Sequence, residues 1–364
     1  MNEQRLGPAA EIASAYKISY HSEKIAAYLK GDRIFPATLE LDITSRCTRV
    51  CADCPSGRGG EGHNLSVGFV GKLLASLEGQ TRGLLLTGGE PTMSPIFPDV
   101  LRLARERGFV DVAVVTNGSL LHQERVVEAL VSYASTIRLS AYDWDGGVFE
   151  EMAPMLGKVE ALRRRVDELG SALKIGVSAL TSKDRAHVLP ALAERVRSAG
   201  AHWIYFHPMC TGWGSNDLAQ VNQAGVPETL AGYLSLLSRS NGFEAFVSKS
   251  RYSSSELKFH GYHAAHFMLV VGADGLNYLA PEVKYHPDHV IADLGNEPSE
   301  NFLWESPRLE KIRPVSSMNY RALRSRHRGV LYNDLIERIR CDELSAEETG
   351  ILEGPRKYRF PHIL

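Results

Sequence analysis

The feature of this sequence that most constrains the fold is a regular alternation of two kinds of segment between residues 37 and 209. Six short runs of apolar, often β-branched residues predict strands, and the longer segments between them have the apolar period of amphipathic helices. Strands separated by helices pair in parallel through right-handed crossovers, which predicts an α/β fold with a parallel sheet. The predicted strands are Ala37–Ile43, Gly83–Thr87, Asp111–Thr116, Thr136–Ser140, Leu173–Ala179 and Trp203–His207. The predicted helices are Val67–Leu77, Pro95–Arg107, Gln123–Ala134, Val148–Leu169 and Ala186–Ala199.

The segments on either side of this repeat have other patterns, so we expect three parts in the chain. Residues 1–36 predict a helical cap that ends at Pro36, because proline cannot continue a helix. Residues 37–210 form the core of βα units, and residues 211–364 form a smaller α+β module. Its predicted features are a helix around Glu228–Ser238, a hairpin-like stretch Phe267–Leu279, a helix Val330–Arg340 and a loosely docked tail, Gly354–Leu364.

The charge balance excludes some classes of function. The chain has 364 residues, with 41 Lys and Arg against 43 Asp and Glu, so no overall field attracts it to nucleic acid or to an anionic membrane. No apolar run approaches the roughly 18 residues of a membrane helix. The N-terminal residues Met1–Arg5 lack the layout of a secretory signal, and the 5 cysteines are too few for a disulfide framework. We therefore expect a cytoplasmic protein that binds neither nucleic acid nor membranes.

Three cysteines, Cys47, Cys51 and Cys54, fall in one loop directly after the first predicted strand. Their Cys-X3-Cys-X2-Cys spacing suits one compact site for a soft metal, because thiolates select zinc or iron–sulfur clusters. A closed zinc site needs a fourth ligand, for which His63 is the nearby candidate, whereas three thiolates on a [4Fe–4S] cluster leave one iron open. A redox pair of Cys51 and Cys54, or a chance group of unreactive cysteines, is an alternative at this point.

A glycine motif follows the second predicted strand, at the same edge of the sheet as the cysteine loop. Gly88 and Gly89 leave main-chain groups bare, so a ligand with an ammonium and a carboxylate group can bind backbone carbonyls and the side chain of Glu90. A tight strand-to-helix turn is the alternative interpretation of these residues. The position beside the cysteine loop favours the ligand site.

Together these motifs resemble those of the radical S-adenosylmethionine (SAM) superfamily. In that superfamily a Cys-X3-Cys-X2-Cys loop holds a [4Fe–4S] cluster, and the open iron binds the amino and carboxylate groups of SAM. The resemblance implies that Cys47, Cys51 and Cys54 are the metal ligands and that the core is a partial (βα)6 TIM-type barrel. For Thr116 and Ser140 the alternative is that strand-end hydroxyls only satisfy turns. The SAM contacts that the resemblance implies are Gly88, Gly89, Glu90, Thr116, Asn117, Ser140 and Val177.

Residues 211–364 resemble, in degenerate form, the SPASM/twitch-like module in which many of these enzymes hold an auxiliary iron–sulfur cluster. The likeness lies in residues 266–275, 290–295 and 302–306, but cysteines normally punctuate that pattern. Outside the first loop this chain has only Cys210 and Cys341, which are too few for a second cubane cluster. We therefore predict a cluster-free module that acts as a substrate lid, which favours a redox-neutral outcome such as epimerisation, elimination, decarboxylation or rearrangement.

The resemblance implies an enzyme that reductively cleaves SAM to a 5′-deoxyadenosyl radical and abstracts hydrogen from its substrate. Family analogy favours a hydroxylated small molecule of natural-product biosynthesis, such as a sugar, an aminocyclitol or a nucleoside, and a one-electron donor such as flavodoxin or ferredoxin. One alternative is a radical SAM dehydrogenase or a peptide-modifying enzyme. Another, from a different class, is a non-catalytic iron–sulfur or zinc-binding protein.

Four further residues are candidates for contact with the substrate. Cys210 follows the sixth predicted strand, where a thiol can return a hydrogen atom to a substrate radical, although a small buried apolar role is the alternative. His260, His263 and His266 have a spacing that can gather them on one side of a helix, where they can bind substrate hydroxyls or a metal.

Overall fold

The structure is a computed structural model that describes residues 15–51, 54, 62–141, 153–181, 183–208, 242–247, 251–252, 257–320, 328–353 and 358–364, with isolated positions between 226 and 233. Its two main layers are a ten-stranded sheet and a set of helices on one face of that sheet. Within the described ranges, no helix is both long and apolar enough to cross a membrane.

The strands are β1 (Thr38–Asp42), β2 (Gly83–Thr87), β3 (Asp111–Thr116), β4 (Thr136–Ala141), β5 (Lys174–Thr181), β6 (Trp203–Pro208), β7 (Glu244–Val247), β8 (Met268–Val271), β9 (Leu276–Tyr278) and β10 (Val290–Asp293). They form one sheet in the order β10-β9-β8-β1-β2-β3-β4-β5-β6-β7. Strands β1 to β7 are parallel to their neighbours, β8 is parallel to β1, and β9 and β10 are antiparallel. The α/β fold with a parallel sheet is confirmed, and β1 to β6 alternate with helices as a partial (βα)6 barrel requires.

The α-helices are α1 (Ser22–Leu29), α2 (Val67–Ser76), α3 (Phe97–Glu106), α4 (Glu124–Tyr133), α5 (Ala153–Glu168), α6 (Leu189–Ser198), α7 (Ala264–Phe267), α8 (Ser306–Ile312), α9 (Arg328–Arg340) and α10 (Ala346–Glu353). Each predicted βα unit therefore has its helix. Part of the last one differs, because residues Lys183–Val188 form a 3-10 helix before α6 begins. Residues 148–152 and most of the helix predicted around 228–238 lie outside the described residues.

The two faces of the sheet have different chemistry, as the alternation of side chains along a strand requires. In β1, Leu39 and Leu41 are fully buried in the main core, which packs the sheet against α2 to α6. Thr38, Glu40 and Asp42 point to the other face, which we call the inner face. Charged residues on a buried strand need partners, so something else in the chain must cover the inner face near β1.

A second core joins the N-terminal helices to the C-terminal part of the chain. Ile18 and Ile25 are buried with residues of 257–364, among them Tyr262, Val330 and Leu335. The 3-10 helix Ala15–His21 and α1, expected as a cap on the barrel, thus pack against α9 and its neighbours. The boundaries at residues 37 and 210 stay predictions.

The C-terminal residues are firmly docked, which corrects the expectation of a loose tail. The hydroxyl of Thr38 donates to the carbonyl of His362 at 2.5 Å and accepts the amide of Leu364 at 2.9 Å. The amide of His362 donates to Asp111 Oδ2 at 2.8 Å, and Leu364 is only 1% exposed. Since Thr38 and Asp111 begin β1 and β3, this segment closes the N-terminal edge of the sheet, opposite the edge that carries the cysteine loop.

Candidate active site

The three cysteines lie where the sequence places them, in the loop that leaves the C-terminal end of β1. None of the three is in a disulfide; Cys47 and Cys51 are exposed and Cys54 is half-buried. The amide of Cys54 donates to the carbonyl of Cys51 at 3.3 Å, so these two residues lie close together. The donor set is therefore three thiols in one short loop, which is the chemistry that an iron–sulfur cluster requires.

The base of this loop is closed by the chain that returns to α2. Ser45 exchanges two hydrogen bonds with His63: its amide donates to the His63 carbonyl at 2.9 Å, and its Oγ accepts the His63 amide at 2.8 Å. The amide of Leu65 donates to the carbonyl of Ile43 at 3.0 Å. These contacts fix both ends of the cysteine loop to the end of β1.

The two glycines after β2 are required by close packing of one loop on the other. Gly88 has φ +128°, and a Cβ there would lie 2.5 Å from the carbonyl oxygen of Thr44. A Cβ at Gly89 would overlap the carbonyl of Arg46. The amides of Gly89 and Glu90 donate to these two carbonyls, Thr44 at 2.9 Å and Arg46 at 2.8 Å. The glycine segment is therefore bonded backbone to backbone to the residues that precede Cys47.

Glu90 joins the ends of β2 and β3 through its buried carboxylate. Oε1 accepts the hydroxyls of Thr92 at 2.5 Å and Thr116 at 2.6 Å, and Oε2 accepts the amide of Asn117 at 2.7 Å. The side chain is 0% exposed, so it acts on a ligand through the loops that it positions. The Thr116 hydroxyl also accepts the amide of Gly118 at 3.0 Å, which matches the alternative that it satisfies a turn.

Asn117 connects the end of β3 directly to the cysteine loop. Its Nδ2 lies 3.6 Å from Cys47 Sγ and donates to Thr48 Oγ1 at 3.0 Å, and Thr48 Oγ1 lies 2.8 Å from Ser119 Oγ. Partial burial raises the pKa of the Cys47 thiol, and the nearby charge of Glu90 raises it further, against the hydrogen bond from Asn117. The ends of β1, β2 and β3 thus meet at the cysteine loop, as the parallel topology predicts.

The described residues do not contain three His, Cys, Asp or Glu side chains already gathered as a metal site. Residues 52–53 and 55–61 of the cysteine loop lie outside the described part. His63 is exposed at the base of the loop. The three thiols fit a cluster by their number and kind, and the same loop carries all of them.

Ser140 and Val177 take opposite positions on the sheet. Ser140 is half-buried on the inner face of β4, paired in register with Ser178 of β5. Val177 is fully buried in the main core between the sheet and the helices, so its side chain points away from the inner face. The SAM contact that the resemblance implies for Val177 stays a prediction, and this side chain lies on the opposite face from Ser140.

The inner face of β5, β6 and β7 carries an aromatic and polar wall that sequence reasoning missed. The ring of Tyr205 stacks on His207 and on Phe246, with centroids 5.0 Å apart in both pairs. His207 Nε2 lies 2.8 Å from Ser178 Oγ. Burial, with the charges of Arg251 and Arg138, holds the pKa of His207 well below its usual range, so this imidazole is neutral. The alternation Trp203, Tyr205, His207 was the signal that could have found it.

Lys284 and Tyr285, which sequence reasoning also missed, cover the inner face at the end of β1. Lys284 Nζ lies 2.7 Å from Asp42 Oδ1 and 3.1 Å from Glu40 Oε1, and it donates to Thr87 Oγ1 at 3.1 Å. Burial alone would lower the pKa of Lys284, but the charges of Asp42 and Glu40 outweigh it and raise that pKa. The signal was the pair of acids in a strand that is otherwise apolar, since buried carboxylates need a cation.

Tyr285 is held in an unusual backbone conformation beside this lysine. Its φ is +62°, in the left-handed region that a bulky side chain rarely adopts. The phenol donates to Asp42 Oδ2 at 2.9 Å and accepts the amide of Ala273 at 3.0 Å. Burial, followed by the charge of Asp42, raises the pKa of Tyr285, so the phenol stays protonated.

The three candidate histidines are not at this site. His263 contacts Tyr28 Oη at 2.8 Å and Glu337 Oε2 at 2.8 Å, and the His266 ring packs on Tyr28 with centroids 4.8 Å apart. They precede β8, which is parallel to β1, so they lie at the N-terminal edge of the sheet. His260 is exposed, and its amide donates to Glu337 Oε2 at 3.1 Å. The structure places these residues away from the cysteine loop, because the short α7 enters the sheet from the opposite edge, and their contact with a substrate stays a prediction. Cys210 lies outside the described residues.

The strands that carry this site are similar to a known protein family. A sequence model of the Radical SAM superfamily matches residues 41–190, from β1 into α6. Residues 41–190 are a radical SAM domain. This family uses a [4Fe–4S] cluster and SAM, and its members are enzymes.

Curated relatives belong to the same family. The chain is similar to the probable GTP 3′,8-cyclase of Methanococcus maripaludis, with 25% identity over 189 residues that cover 47% of this chain and 60% of the relative. It is also similar to the GTP 3′,8-cyclase of Chlorobaculum tepidum, with 34% identity over 96 residues that cover 26% of this chain and 28% of that one. The chain thus spans about three fifths of the length of the first of these relatives.

Solved structures show that the likeness in fold extends beyond the matched domain. Streptococcus suis SuiB bound to the precursor peptide SuiA has a TM-score of 0.63 at 16% identity, covering 81% of this chain and 71% of SuiB. The enzyme anSMEcpe with bound AdoMet has a TM-score of 0.53 at 15% identity, covering 76% of this chain and 82% of that one. At these identities the comparison concerns the fold alone.

Proposed function

We propose that the chain is a radical SAM enzyme in which Cys47, Cys51 and Cys54 hold the [4Fe–4S] cluster. The observation that carries the proposal is the hydrogen-bonded junction of three strand ends at the cysteine loop, through Gly89 to Thr44 and Asn117 to Cys47. A structural metal loop or a redox sensor would not require that junction. It is what a site needs when a metal and an organic cofactor must be held together.

SAM would lie on the main chain of the glycine segment. Gly88 and Gly89 let this segment pack closely on the residues that precede Cys47, and Glu90 fixes it through Thr116 and Asn117. Ser140 and the adjacent Ser178 supply hydroxyls on the inner face for the ribose side of the cofactor. A cluster held by Cys47, Cys51 and Cys54 would supply the electron for reductive cleavage of SAM, and the hydrogen abstraction that follows would act on a substrate held at the inner face.

The protein's own contribution is to position the substrate and exclude water from the inner face. The stacked rings of Tyr205 and Phe246 provide a rigid apolar wall, and the neutral His207 with Ser178 provides a hydrogen-bonding pair. This mixture suits a hydroxylated small molecule such as a sugar, an aminocyclitol or a nucleoside of a natural-product pathway. The names of the curated relatives, cyclases of GTP, support the nucleoside class among these.

The reaction that we propose is redox-neutral: epimerisation, elimination, decarboxylation or rearrangement. Beyond the cysteine loop the sequence has only Cys210 and Cys341, and Cys341 is exposed at the end of α9. Residues 211–364 would then act as a degenerate twitch-like lid, with Cys210 as a hydrogen donor to the substrate radical. A flavodoxin or ferredoxin in the cytoplasm would supply the electron, and a reducing compartment suits these thiols.

The test is SAM cleavage after anaerobic reconstitution with iron and sulfide. We expect 5′-deoxyadenosine to form with dithionite, and we expect the triple variant Cys47→Ala, Cys51→Ala, Cys54→Ala to abolish it. The matched control is Cys341→Ala, which removes an exposed thiol elsewhere and should keep both the cluster and the activity. SAM cleavage by the triple variant, or none by the reconstituted wild type, would refute the proposal.

The same preparation decides between the redox-neutral reaction and a dehydrogenase. One cluster corresponds to about four irons per chain and two clusters to about eight. We expect about four. About eight would mean that non-cysteine ligands hold an auxiliary cluster, and a dehydrogenase or a peptide-modifying enzyme would then become the better assignment.

A further inference from the structure

We infer that the inner face of the sheet binds an anionic oxygen of the substrate, from a phosphate or a carboxylate group, through Arg138 of β4 and Trp203 of β6. We call these two residues the donor pair. The inference rests on the proposed function and deepens it, because it narrows the hydroxylated substrate to one that carries a negative charge. Neither residue is among the SAM contacts proposed above.

The donor pair lies on the inner face, on either side of β5. Arg138 stands between Ile137 and Leu139, which are both buried in the main core, so its half-buried side chain points to the inner face. Trp203 is 3% exposed and packs on Phe246 of the aromatic wall, with ring centroids 6.0 Å apart. In the sheet, β5 is the strand between β4 and β6, so it separates the two members of the pair.

Gly176 of β5 lets the donor pair converge. It is paired in register with Arg138 on one side and with Trp203 on the other. A Cβ at Gly176 would overlap the indole ring of Trp203, and the ring atom nearest to it would be Cε2, which is bonded to Nε1. The indole therefore lies across β5 towards β4, and only a glycine leaves room for it there.

The indole N–H of Trp203 is a buried donor that lacks an acceptor. Its Nε1 is buried and has no hydrogen-bond partner within the described ranges of the chain. Folded proteins rarely leave such a donor unsatisfied, because a buried N–H that has given up water without a new partner is costly. Trp304 shows the usual arrangement, since its Nε1 donates to the carbonyl of Ile34 at 3.3 Å. A ligand oxygen above Gly176 would supply the acceptor.

The charge of Arg138 favours an anion as that acceptor. Burial alone would raise the pKa of Glu40, the carboxylate across the inner face, but the charges of Lys284 and Arg328 lower it. The charge of Arg138 adds to the same shift, so three cations share the one carboxylate. A second anionic oxygen is therefore favoured beside Arg138, and hydrogen bonds from a charged donor are stronger than neutral ones.

Glu244 is the acid nearest to Trp203 in the sheet, in register with it on β7. Its carboxylate pairs with Arg359 at 2.7 Å. The indole extends in the other direction, over Gly176. Glu244 therefore does not take the place of the ligand.

The donor pair lies deeper in the sheet than the proposed SAM contacts. Arg138 comes two residues before Ser140 on the same face of β4, which is about 7 Å along the strand. An anionic group held by the donor pair would direct the rest of the substrate along the aromatic wall towards Ser140 and the edge of the cysteine loop. The charge would thus orient the substrate as well as bind it.

The experiment follows the indole N–H signals of the full reconstituted chain, with its cluster oxidised, by proton–nitrogen correlation NMR. The chain has 4 tryptophans, and Trp203→Phe identifies the Trp203 signal by its loss. Inorganic phosphate, acetate and chloride are titrated separately at matched ionic strength. We expect phosphate or acetate to move the Trp203 proton downfield in a saturable way, because the N–H then donates to an anionic oxygen. The anion that saturates the shift at the lower concentration tells a phosphate substrate from a carboxylate one.

Two controls belong to the same titration. Chloride should leave the Trp203 signal in place, and the Trp304 signal should not move with any of the three anions, since its N–H already has an acceptor. Arg138→Gln removes the charge, and we expect it to weaken the affinity for the anion at least about tenfold, as for a lost hydrogen bond to a charged group. Arg102→Gln removes an exposed cation that pairs with Glu106 and should leave that affinity unchanged.

A Trp203 signal that neither phosphate nor acetate moves overturns the inference, and so does equal affinity in the wild type and Arg138→Gln. If Arg138→Gln does not fold, the wild-type titration decides: a shift that chloride produces as well as phosphate and acetate overturns the inference. If the chain holds no cluster or cleaves no SAM, the proposed function fails, and the titration of the full chain still decides whether the donor pair binds an anion.

Discussion

Lys284 Nζ lies 2.7 Å from Asp42 Oδ1, with the two side chains 4% and 0% exposed. Asp42 is the last residue of β1, and the cysteine loop follows it. The contact therefore joins the C-terminal part of the chain to the strand end that carries the proposed cluster ligands. Tyr285 adds a second bond to the same carboxylate, at 2.9 Å. The position of the cysteine loop thus depends on residues more than 200 positions away.

Lys284→Met should strongly destabilise the fold. The substitution leaves the carboxylates of Asp42 and Glu40 buried without the lysine, and breaking a buried pair costs about 3–5 kcal/mol. Urea unfolding of the purified protein measures this. The control is Lys72→Met, which removes the exposed contact of Lys72 with Glu297 and should cost less than about 1 kcal/mol. Equal losses of unfolding free energy in the two variants would mean that the buried network stabilises the fold no more than the exposed ion pair does.

Gly89→Ala should separate the cysteine loop from the glycine segment. A Cβ at this position would overlap the backbone of Arg46, so one of the two loops must move. We expect loss of SAM binding, measured by titration of the reconstituted protein. Gly71→Ala is the control, because a Cβ there meets nothing within 4 Å and alanine stabilises a helix interior by roughly 0.5–1 kcal/mol. Unchanged SAM affinity in Gly89→Ala would contradict the role given to this junction.

We expect the Thr116 hydroxyl to stabilise the fold through its two hydrogen bonds. Thr116→Val keeps the shape but removes the donor to Glu90 and the acceptor for the Gly118 amide. We expect a loss of about 1.5–3 kcal/mol in the free energy of unfolding, because one bond is to a charged group. Thr116→Ser retains the hydroxyl and should recover most of the loss. If the serine variant were as unstable as the valine variant, packing of the methyl group would be the cause.

The strands could be predicted from the apolar period of the sequence. The sheet edge that carries the site could be predicted because the strands are parallel. Once β1, β2 and β3 are parallel, the residues after them must meet, as Cys47, Gly89 and Asn117 do. The role of the glycines could not be predicted in full, since the close approach to Thr44 and Arg46 is a property of the folded loops.

Contacts between residues far apart in the chain could not be predicted from the sequence. Lys284 is recognisable as the partner of Asp42 only when the chain between them is folded. The spacing of His260, His263 and His266 predicts one helical side, but α7 is only 4 residues long and leads into β8 from the far edge. Val177 lies on the predicted strand, but its side chain faces the helices and not the inner face. Successive side chains along a strand point to opposite faces, so a shift of one residue changes the face.

His266 should make the fold sensitive to acid. Burial, with the positive charge of Arg308 second, lowers the pKa of His266 to about 3 in the folded chain, whereas an unfolded histidine titrates near 6.5. Between these values the unfolded chain binds a proton that the folded chain does not, so stability falls as pH drops below about 6.5. At pH 5 this amounts to at most about 2 kcal/mol, since one pKa unit corresponds to about 1.4 kcal/mol. His266→Phe keeps a ring against Tyr28 and should reduce the difference in unfolding free energy between pH 7.5 and pH 5, measured with urea. The exposed His122→Phe is the control, and an equal pH dependence in wild type and His266→Phe would show that this imidazole is not what titrates.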